Sequence, residues 1–436
     1  MQRTVRPAPS LRGTIVPPGD KSISHRAAIF NAIAAGEATI EGFQRSADCL
    51  ATLRCLRDLG VPWRWLDDST LSVAGRGRHG LSESAAVLDC RNSGTTIRLL
   101  AGLLAPQPFF SVLSGDRSLR SRPMARVIQP LRAMGADISG REGDTKAPLA
   151  INGSQLRGAA HELPVASAQV KSAIALAALF AHGETAVREP GPSRDHTERM
   201  LAAMGAGIES SGGLLRLSPL TSDLRPLSLR VPGDLSAAVA WLVLAACHPD
   251  AELHIPGVGV NPTRSGAIDA LRLMGAEVRL EEERTWGPEP VADLTVRSSR
   301  LRGAVIEGDL IPRAIDELPL LALAACFATG ETVIREAAEL RVKESDRITA
   351  TARRLSRLGA DVEELPDGLR IRPAGRLRGA TVSSSGDHRL AIMLALAGTL
   401  AAGETTVRHA DAVAVSYPTF WRDLDSVSRP SRRRRS

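Results

Sequence analysis

Basic and hydroxyl side chains stand at the entrance to one small-residue apolar run after another, a combination suited to holding anions. The first such segment is Pro18-Gly19-Asp20-Lys21-Ser22-Ile23-Ser24-His25-Arg26, just ahead of an Ala-rich run. A helix N-terminus presents free backbone N–H groups and the positive end of the helix dipole. Lys21 adds a point charge, and Arg26 a planar fork that fits phosphate or carboxylate. Pro18 and Gly19 make the turn that aims them. Taken alone, the segment reads equally as a capped helix with solvated charges.

Seven further segments repeat the theme. Asp89-Cys90-Arg91-Asn92-Ser93-Gly94-Thr95-Thr96-Ile97-Arg98 is a small-residue turn feeding a helix, and Gly115–Met124 puts Arg117, Arg120 and Arg122 ahead of Pro123. Val165–Ser172 opens an apolar helix with Ser167, Gln169 and Lys171, polar groups that need partners if buried. Gly191–Thr197 carries Arg194 and His196; no second His or Cys stands at ligand spacing, so His196 reads as a capping or hydrogen-bonding residue. Ile315-Asp316-Glu317-Leu318-Pro319 places carboxylates at a helix start, where they cap or serve as a base. Leu340–Arg347 packs five charges into eight residues, and Ser385-Gly386-Asp387-His388-Arg389 opens the last apolar helix. Several such ends converging on a cleft would bind a ligand with several negative charges, with Asp316 and Glu344 as its acid–base pair.

The elements that must position these residues repeat six times. A helix of the form L-x-x-x-G-A followed by a short strand recurs at Leu53–Val61, Leu131–Ile138, Leu201–Ile208, Leu271–Val278 and Leu355–Val362, with a truncated sixth copy after Tyr417. It alternates with an Ala/Leu-rich helix that stops at Gly or Pro before a strand, as in His182-Gly183-Glu184-Thr185-Ala186-Val187. Helices apolar nearly all round, expected over Ala166–Ala181, Leu235–Ala246, Ala314–Ala328 and Leu390–Ala402, must be surrounded by other elements. Six units of roughly 70 residues stack into two domains of three. The expected division is 20–232 for one domain, 1–19 plus 233–425 for the other, and a disordered Arg-rich tail over 426–436. The crossovers are expected near Pro17-Pro18-Gly19 and Leu229–Asp234, as a hinge beside a cleft.

Composition removes other classes. Aromatic residues make up 3% of the 436 residues, too few for base-stacking platforms. No run reaches a membrane span, and Met1–Ala8 lacks the apolar core of a signal peptide. Five scattered cysteines form no C-x-x-C pair, which argues against zinc and a disulfide framework and for a reducing cytoplasm. The net charge of +7 owes five charges to Arg429 and Arg432–Arg435; the body is mildly basic. No Walker A or Rossmann glycine pattern is present.

Together these motifs closely resemble the 5-enolpyruvylshikimate-3-phosphate (EPSP) synthase family. The residues that carry the resemblance are Gly19–Arg26, Asn92-Ser93-Gly94-Thr95, Arg122-Pro123-Met124, Ser167–Ser172, Leu340–Arg347 and Gly386-Asp387-His388-Arg389, and it runs from about Pro9 to about Phe420. It implies a two-domain inside-out α/β barrel fold with three repeated units per domain and buried central helices. It implies transfer of the enolpyruvyl group of phosphoenolpyruvate to the 5-hydroxyl of shikimate 3-phosphate, with no metal or organic cofactor. By that resemblance Lys21, Gly94, Arg122, Gln169, Arg347 and Arg389 serve phosphoenolpyruvate. Lys21, Ser22, Arg26, Ser167, Gln169, Arg194, Asp316 and Lys343 serve shikimate 3-phosphate. Asp316 is then the base, Glu344 the acid, and Lys21 a contact to both substrates. Many relatives carry a lysine where Ala414–Pro418 has none, and an Asn where this chain has Glu339. A monomer that engages small anions, with no membrane or specific nucleic-acid partner, is expected. The alternatives are a UDP-sugar enolpyruvyl transferase and a non-catalytic polyanion-binding protein; Lys21-Ser22 and a cysteine-free Gly115–Met124 set the first aside.

Overall fold

The structure, a computed structural model, describes residues 1–373 and 375–428. The chain forms two compact units: Gly19–Val231 with Thr285–Glu289, here the first unit, and Met1–Pro18, Pro232–Arg284 and Pro290–Ser436, the second.

Within the first unit one sheet pattern occurs three times. Ala35–Glu41 has Leu229–Arg230 parallel on one side and Leu71–Arg76 antiparallel on the other, with Trp63–Trp65 antiparallel beyond. Phe110–Ser114 is flanked the same way by Leu88–Asp89, Lys146–Asn152 and Asp137–Gly140. Thr185–Arg188 is flanked by Ala160–Glu162, Leu214–Leu217 and Ile208–Ser211. The sequence reason is period two: in Lys146–Asn152 the buried residues are Ala147, Leu149 and Ile151, alternating with more exposed ones, as a sheet with one covered face requires.

The same order recurs in the second unit. Thr332–Ile334 lies between Val305–Ile306 and Gly368–Arg372, with Asp361–Leu365 outside. Ala251–Gly259 lies between Leu11–Thr14 and Glu289–Arg297, with Val278–Trp286 outside. Thr405–Arg408 has Thr381–Ser383 parallel and Gln2–Val5 antiparallel; among the described residues this sixth sheet has no fourth strand. Among the described residues this is in keeping with the truncated copy expected after Tyr417. Phe420–Val427 forms the last helix and takes in the first residues of the expected tail, whose remainder from 429 lies outside the described residues.

Inside each unit's sheets sit three helices: Lys21–Ala32, Gly94–Leu104 and Ala168–Ala178 in the first, and Leu235–Cys247, Leu318–Ala325 and His388–Leu400 in the second. Ile23 through Ala32 are all buried, so this core has helices inside and strands outside. Small residues allow close approach. A Cβ built on Gly102 would lie 2.1 Å from the Ala173 carbonyl oxygen of the neighbouring helix, a separation that no side chain survives. The helices that end at Asp58, Ala133, Ala203, Leu273 and Arg357 are followed, after one capping residue, by Gly60, Gly135, Gly205, Gly275 and Gly359 at φ +82, +99, +94, +89 and +90, the left-handed conformation that ends a helix. Gly183, Gly330 and Gly403, expected as stops of the buried helices, lie in the turns beyond them.

One expected helix is broken. Ala314–Ala328 is realised as Leu310–Ala314 followed by Leu318–Ala325. Pro319 lacks an N–H and is tolerated only in a first turn, so the helix restarts there. The break holds Ile315, Asp316 and Glu317 out of the regular ladder.

The core also makes the first unit pH-sensitive. His25 is fully buried, with Nδ1 2.7 Å from Thr52 Oγ1, and Thr52 is 2.7 Å from Thr96 Oγ1. Burial, then the charges of Lys21 and Arg26, hold the His25 pKa well below its ordinary 6.5. Below about pH 6.5 the unfolded chain binds a proton that the folded chain refuses, so stability falls as pH drops, by up to about 1.4 kcal/mol per pH unit. Urea unfolding between about pH 7 and about pH 5 is expected to show this slope, and His25→Asn to reduce it. Equal slopes in the two proteins would remove the assignment.

Candidate functional site

The residues singled out by the sequence lie at or just before a helix start, except Arg26, which stands in the second turn of its helix. Asp20 caps the first helix through Ile23 N–H at 2.9 Å, and Lys21 Nζ meets Asp48 Oδ2 at 2.9 Å. Ser22 contributes its carbonyl to Arg26 Nη1 at 3.1 Å. Arg26 itself is 2% exposed; it donates through Nε to Thr197 Oγ1 and through Nη2 to Ser172 Oγ, both at 2.7 Å. Burial lowers its pKa to about 10; Glu198, Asp20 and Glu289 oppose that fall and Arg194 adds to it. The Arg26 guanidinium is therefore held in place by neutral hydroxyls.

Ser93 caps the second buried helix through Thr96 N–H at 3.1 Å. A Cβ on Gly94 would lie 2.7 Å from Arg98 Nη1 and 3.1 Å from Arg122 Nη1, so this glycine faces two guanidinium groups. Arg122 Nη2 donates to Asn92 Oδ1 at 2.6 Å. Gln169 joins the set: its Oε1 accepts from Arg98 Nη1 at 2.5 Å and its Nε2 donates to Thr95 Oγ1 at 3.0 Å. Ser167 caps the same helix, and its N–H donates to Glu189 Oε1 at 3.1 Å. Gln169 and Ser172, three residues apart, lie on one helix face, so the Gly94–Arg122 group and the Arg26–Thr197 group meet along the Ala168–Ala178 helix. Below them Lys171 Nζ bridges Glu189 and Glu198 at 2.7 and 2.6 Å. Burial opposes the charge there, but Glu198 and Glu189 hold the Lys171 pKa above 10.5.

The second unit gathers the carboxylates. Arg347, 1% exposed at the first position of the Arg347–Arg357 helix, is reached by Glu344 Oε2 at 2.6 Å, Asp387 Oδ2 at 2.9 Å and Asp316 Oδ1 at 3.4 Å. Burial opposes its charge, but Asp387, Glu344 and Asp316 override it and raise the Arg347 pKa. Asp387 caps the last buried helix through Arg389 N–H at 2.9 Å. Despite burial, Arg347 keeps its pKa below the usual aspartate value. Lys343 lies 3.8 Å from Glu339; desolvation pulls its pKa below 10.5 although Asp316 and Glu339 oppose that. Arg389 Nη1 is 3.5 Å from Glu317 Oε1. Glu317 is fully buried and also takes Arg264 Nη1 at 2.6 Å, Arg264 Nη2 at 2.9 Å and Ser236 Oγ at 2.5 Å.

The first unit thus brings together Lys21, Ser22, Arg26, Gly94, Arg122, Ser167, Gln169 and Arg194 at or near helix starts. The second does the same for Asp316, Lys343, Glu344, Arg347 and Arg389. Asp48, Arg98, Glu189, Glu198, Ser236 and Arg264 take part without having been singled out. Their only sequence signal is a polar residue in an otherwise apolar or amphipathic run, which does not name a partner tens of residues away.

A profile of the family described as EPSP synthase (3-phosphoshikimate 1-carboxyvinyltransferase) matches residues 5–424. The chain belongs to the EPSP synthase family. It is 57% identical over 428 residues to the 3-phosphoshikimate 1-carboxyvinyltransferase of Roseiflexus sp. (strain RS-1), covering 98% of this chain and 99% of that protein. Against the same-named protein of Herpetosiphon aurantiacus the identity is 54% over 431 residues, covering 98% and 99%. The 2.37 Å structure of EPSP synthase from Acinetobacter baumannii matches with a TM-score of 0.88 at 42% identity, covering 98% of both chains. As a member of the EPSP synthase family the chain is a transferase with the two-domain α/β fold expected from its repeats. No helix among the described residues is long and apolar enough to cross a membrane.

Proposed function

We propose that the chain converts phosphoenolpyruvate and shikimate 3-phosphate into the enolpyruvyl ether and phosphate, as a 3-phosphoshikimate 1-carboxyvinyltransferase. The observation that carries the assignment of roles is the buried Arg347 shared by Asp316 and Glu344: one cation holds two carboxylates suited to opposite proton transfers. Arg347, Arg389, Lys21 and Arg122 bind phosphoenolpyruvate, with Gly94 leaving room and Gln169 lining its place. Ser22, Arg26, Ser167, Gln169, Arg194 and Lys343 bind shikimate 3-phosphate, and Lys21 contacts both.

When phosphoenolpyruvate takes up Arg347, Glu344 loses its cation and gains an anionic neighbour, and both changes favour its protonated form. Glu344 then gives its proton to the methylene carbon, and the adjacent carbon becomes cationic. Asp316 accepts the proton of the 5-hydroxyl as its oxygen bonds to that carbon. The tetrahedral adduct breaks its carbon–oxygen bond to phosphate and returns a methyl proton to Glu344. The helix starts and arginines stabilise the charge that develops on phosphate. All five cysteines are unbridged, which suits a cytoplasmic enzyme, and we take it to act as a monomer.

Phosphate release from phosphoenolpyruvate tests the reading. Release that requires shikimate 3-phosphate is expected. Release that requires a UDP-sugar instead would transfer the assignment to the sister activity, and none with either would leave an anion-binding protein.

A further inference from the structure

The second unit carries a groove that takes no part in the chemistry above. It encloses about 370 Å³ and is lined by Arg353, Arg354, Arg357, Thr381, Val382, Ser383 and Arg408. Three of the arginines come from the Arg347–Arg357 helix, and the fourth from the Thr405–Arg408 strand. No acidic side chain lines the groove.

The arginines are pre-set to different degrees. Arg354 is anchored: Nε donates to Ser383 O at 2.5 Å, Nη2 to Ser385 Oγ at 2.7 Å and Nη1 to Ala350 O at 3.2 Å. Arg357 is tethered only through Nε, to Thr381 O at 2.9 Å. Arg353 and Arg408 are exposed, and among the described residues none of the four has a carboxylate partner. Other arginines of this unit do have one. Arg297 pairs with Glu252 at 2.6 Å, Arg341 with Glu364 at 2.9 Å and Arg372 with Glu363 at 3.0 Å. Arg354 and Arg357 lie in the last turn of their helix, where cations are favoured, but this does not explain Arg353 one turn back or Arg408 on a strand. Burial and then the charge of Arg353 lower the Arg354 pKa, with Asp387 opposing, so these two neighbours repel each other.

We propose that this groove is a second anion site, one that binds a compact phosphorylated metabolite. Planar guanidinium forks are suited to bidentate bonds with phosphate oxygens, and the Thr381 and Ser383 hydroxyls add neutral partners. The volume suits a small molecule, and scarce aromatics exclude base stacking. The helix that supplies three of the arginines begins at Arg347. The wall at Ser383 and Ser385 continues into Asp387. The occupant is therefore joined by two elements to the cluster that holds Asp316 and Glu344.

The test uses the full chain and inorganic pyrophosphate as probe. Arginine modification by phenylglyoxal is followed peptide by peptide at physiological salt. Pyrophosphate at or below about 1 mM is expected to slow modification of Arg353, Arg357 and Arg408 at least about fivefold, saturably. The triple variant Arg353→Ala/Arg357→Ala/Arg408→Ala is expected to lose one pyrophosphate-binding event by calorimetry while its kcat is unchanged, which also reports that it folds. Protection confined to Arg122, Arg347 and Arg389 would overturn the site. So would protection of the groove arginines only by a long polyphosphate or oligonucleotide, with steep salt dependence. The footprint is read on the unmodified chain and does not depend on the variant.

Discussion

Glu344→Gln is expected to lower kcat by about a hundred- to ten-thousandfold, the usual loss when a positioned proton donor is removed. The amide keeps the shape but has no acidic proton for the methylene carbon. The KM for phosphoenolpyruvate is expected not to rise, because Arg347 loses a carboxylate that competes for it at 2.6 Å and keeps Asp387 at 2.9 Å to hold it in place. This combination separates a transition-state role from a binding role. A fall in kcat of less than about tenfold, or a rise in KM with kcat intact, would show that Glu344 binds substrate and gives no proton.

The second large effect concerns stability. Glu317→Ala is expected to cost about 3–5 kcal/mol, because it strands the buried Arg264, which now makes two bonds to Glu317, and removes a partner of Arg389. The paired replacement Glu317→Leu/Arg264→Met is expected to recover most of that loss, since well-packed apolar groups avoid the desolvation that a buried ion pair demands. Urea unfolding of the three proteins decides the matter. If the double variant is as unstable as the single, the stranded charge is not the cause. The double variant still lacks the Glu317 contact to Arg389, so it also separates stability from substrate binding.

What the sequence disclosed and what it hid follow one physical line. The sixfold pattern, the buried helices and the shortened sixth copy were legible because each rests on a local period: two in strands such as Lys146–Asn152, and near-continuous apolar character in helices such as Leu235–Cys247. The helix starts were legible because capping residues and glycines mark them. The break at 315–317 was not, since an apolar run on both sides reads as one helix and only Pro319 hints at a restart. The partners were hidden for a different reason. Lys21 finds Asp48 27 residues on, and Lys171 finds Glu198 in the corresponding place of another repeat, but Arg264 reaches Glu317 across 53 residues of chain and Arg26 reaches Thr197 across 171. Such pairings are made by the stacking of repeats, and no spacing rule records them.

The contact of Gly102 with the Ala173 carbonyl has a bearing on how this protein can evolve. These two helices begin with Gly94 and Ala168, and their first turns are tied by Gln169 to Thr95 and Arg98. Any side chain at 102 must force the helices apart along their length, carrying those first turns with them. In a deep mutational scan selected for growth, position 102 would therefore sort with the ligand-contacting residues, although it touches no ligand. Conversely, a drift toward a larger substrate would find a lever there, two helical turns behind the chemistry and invisible to a search confined to the pocket lining.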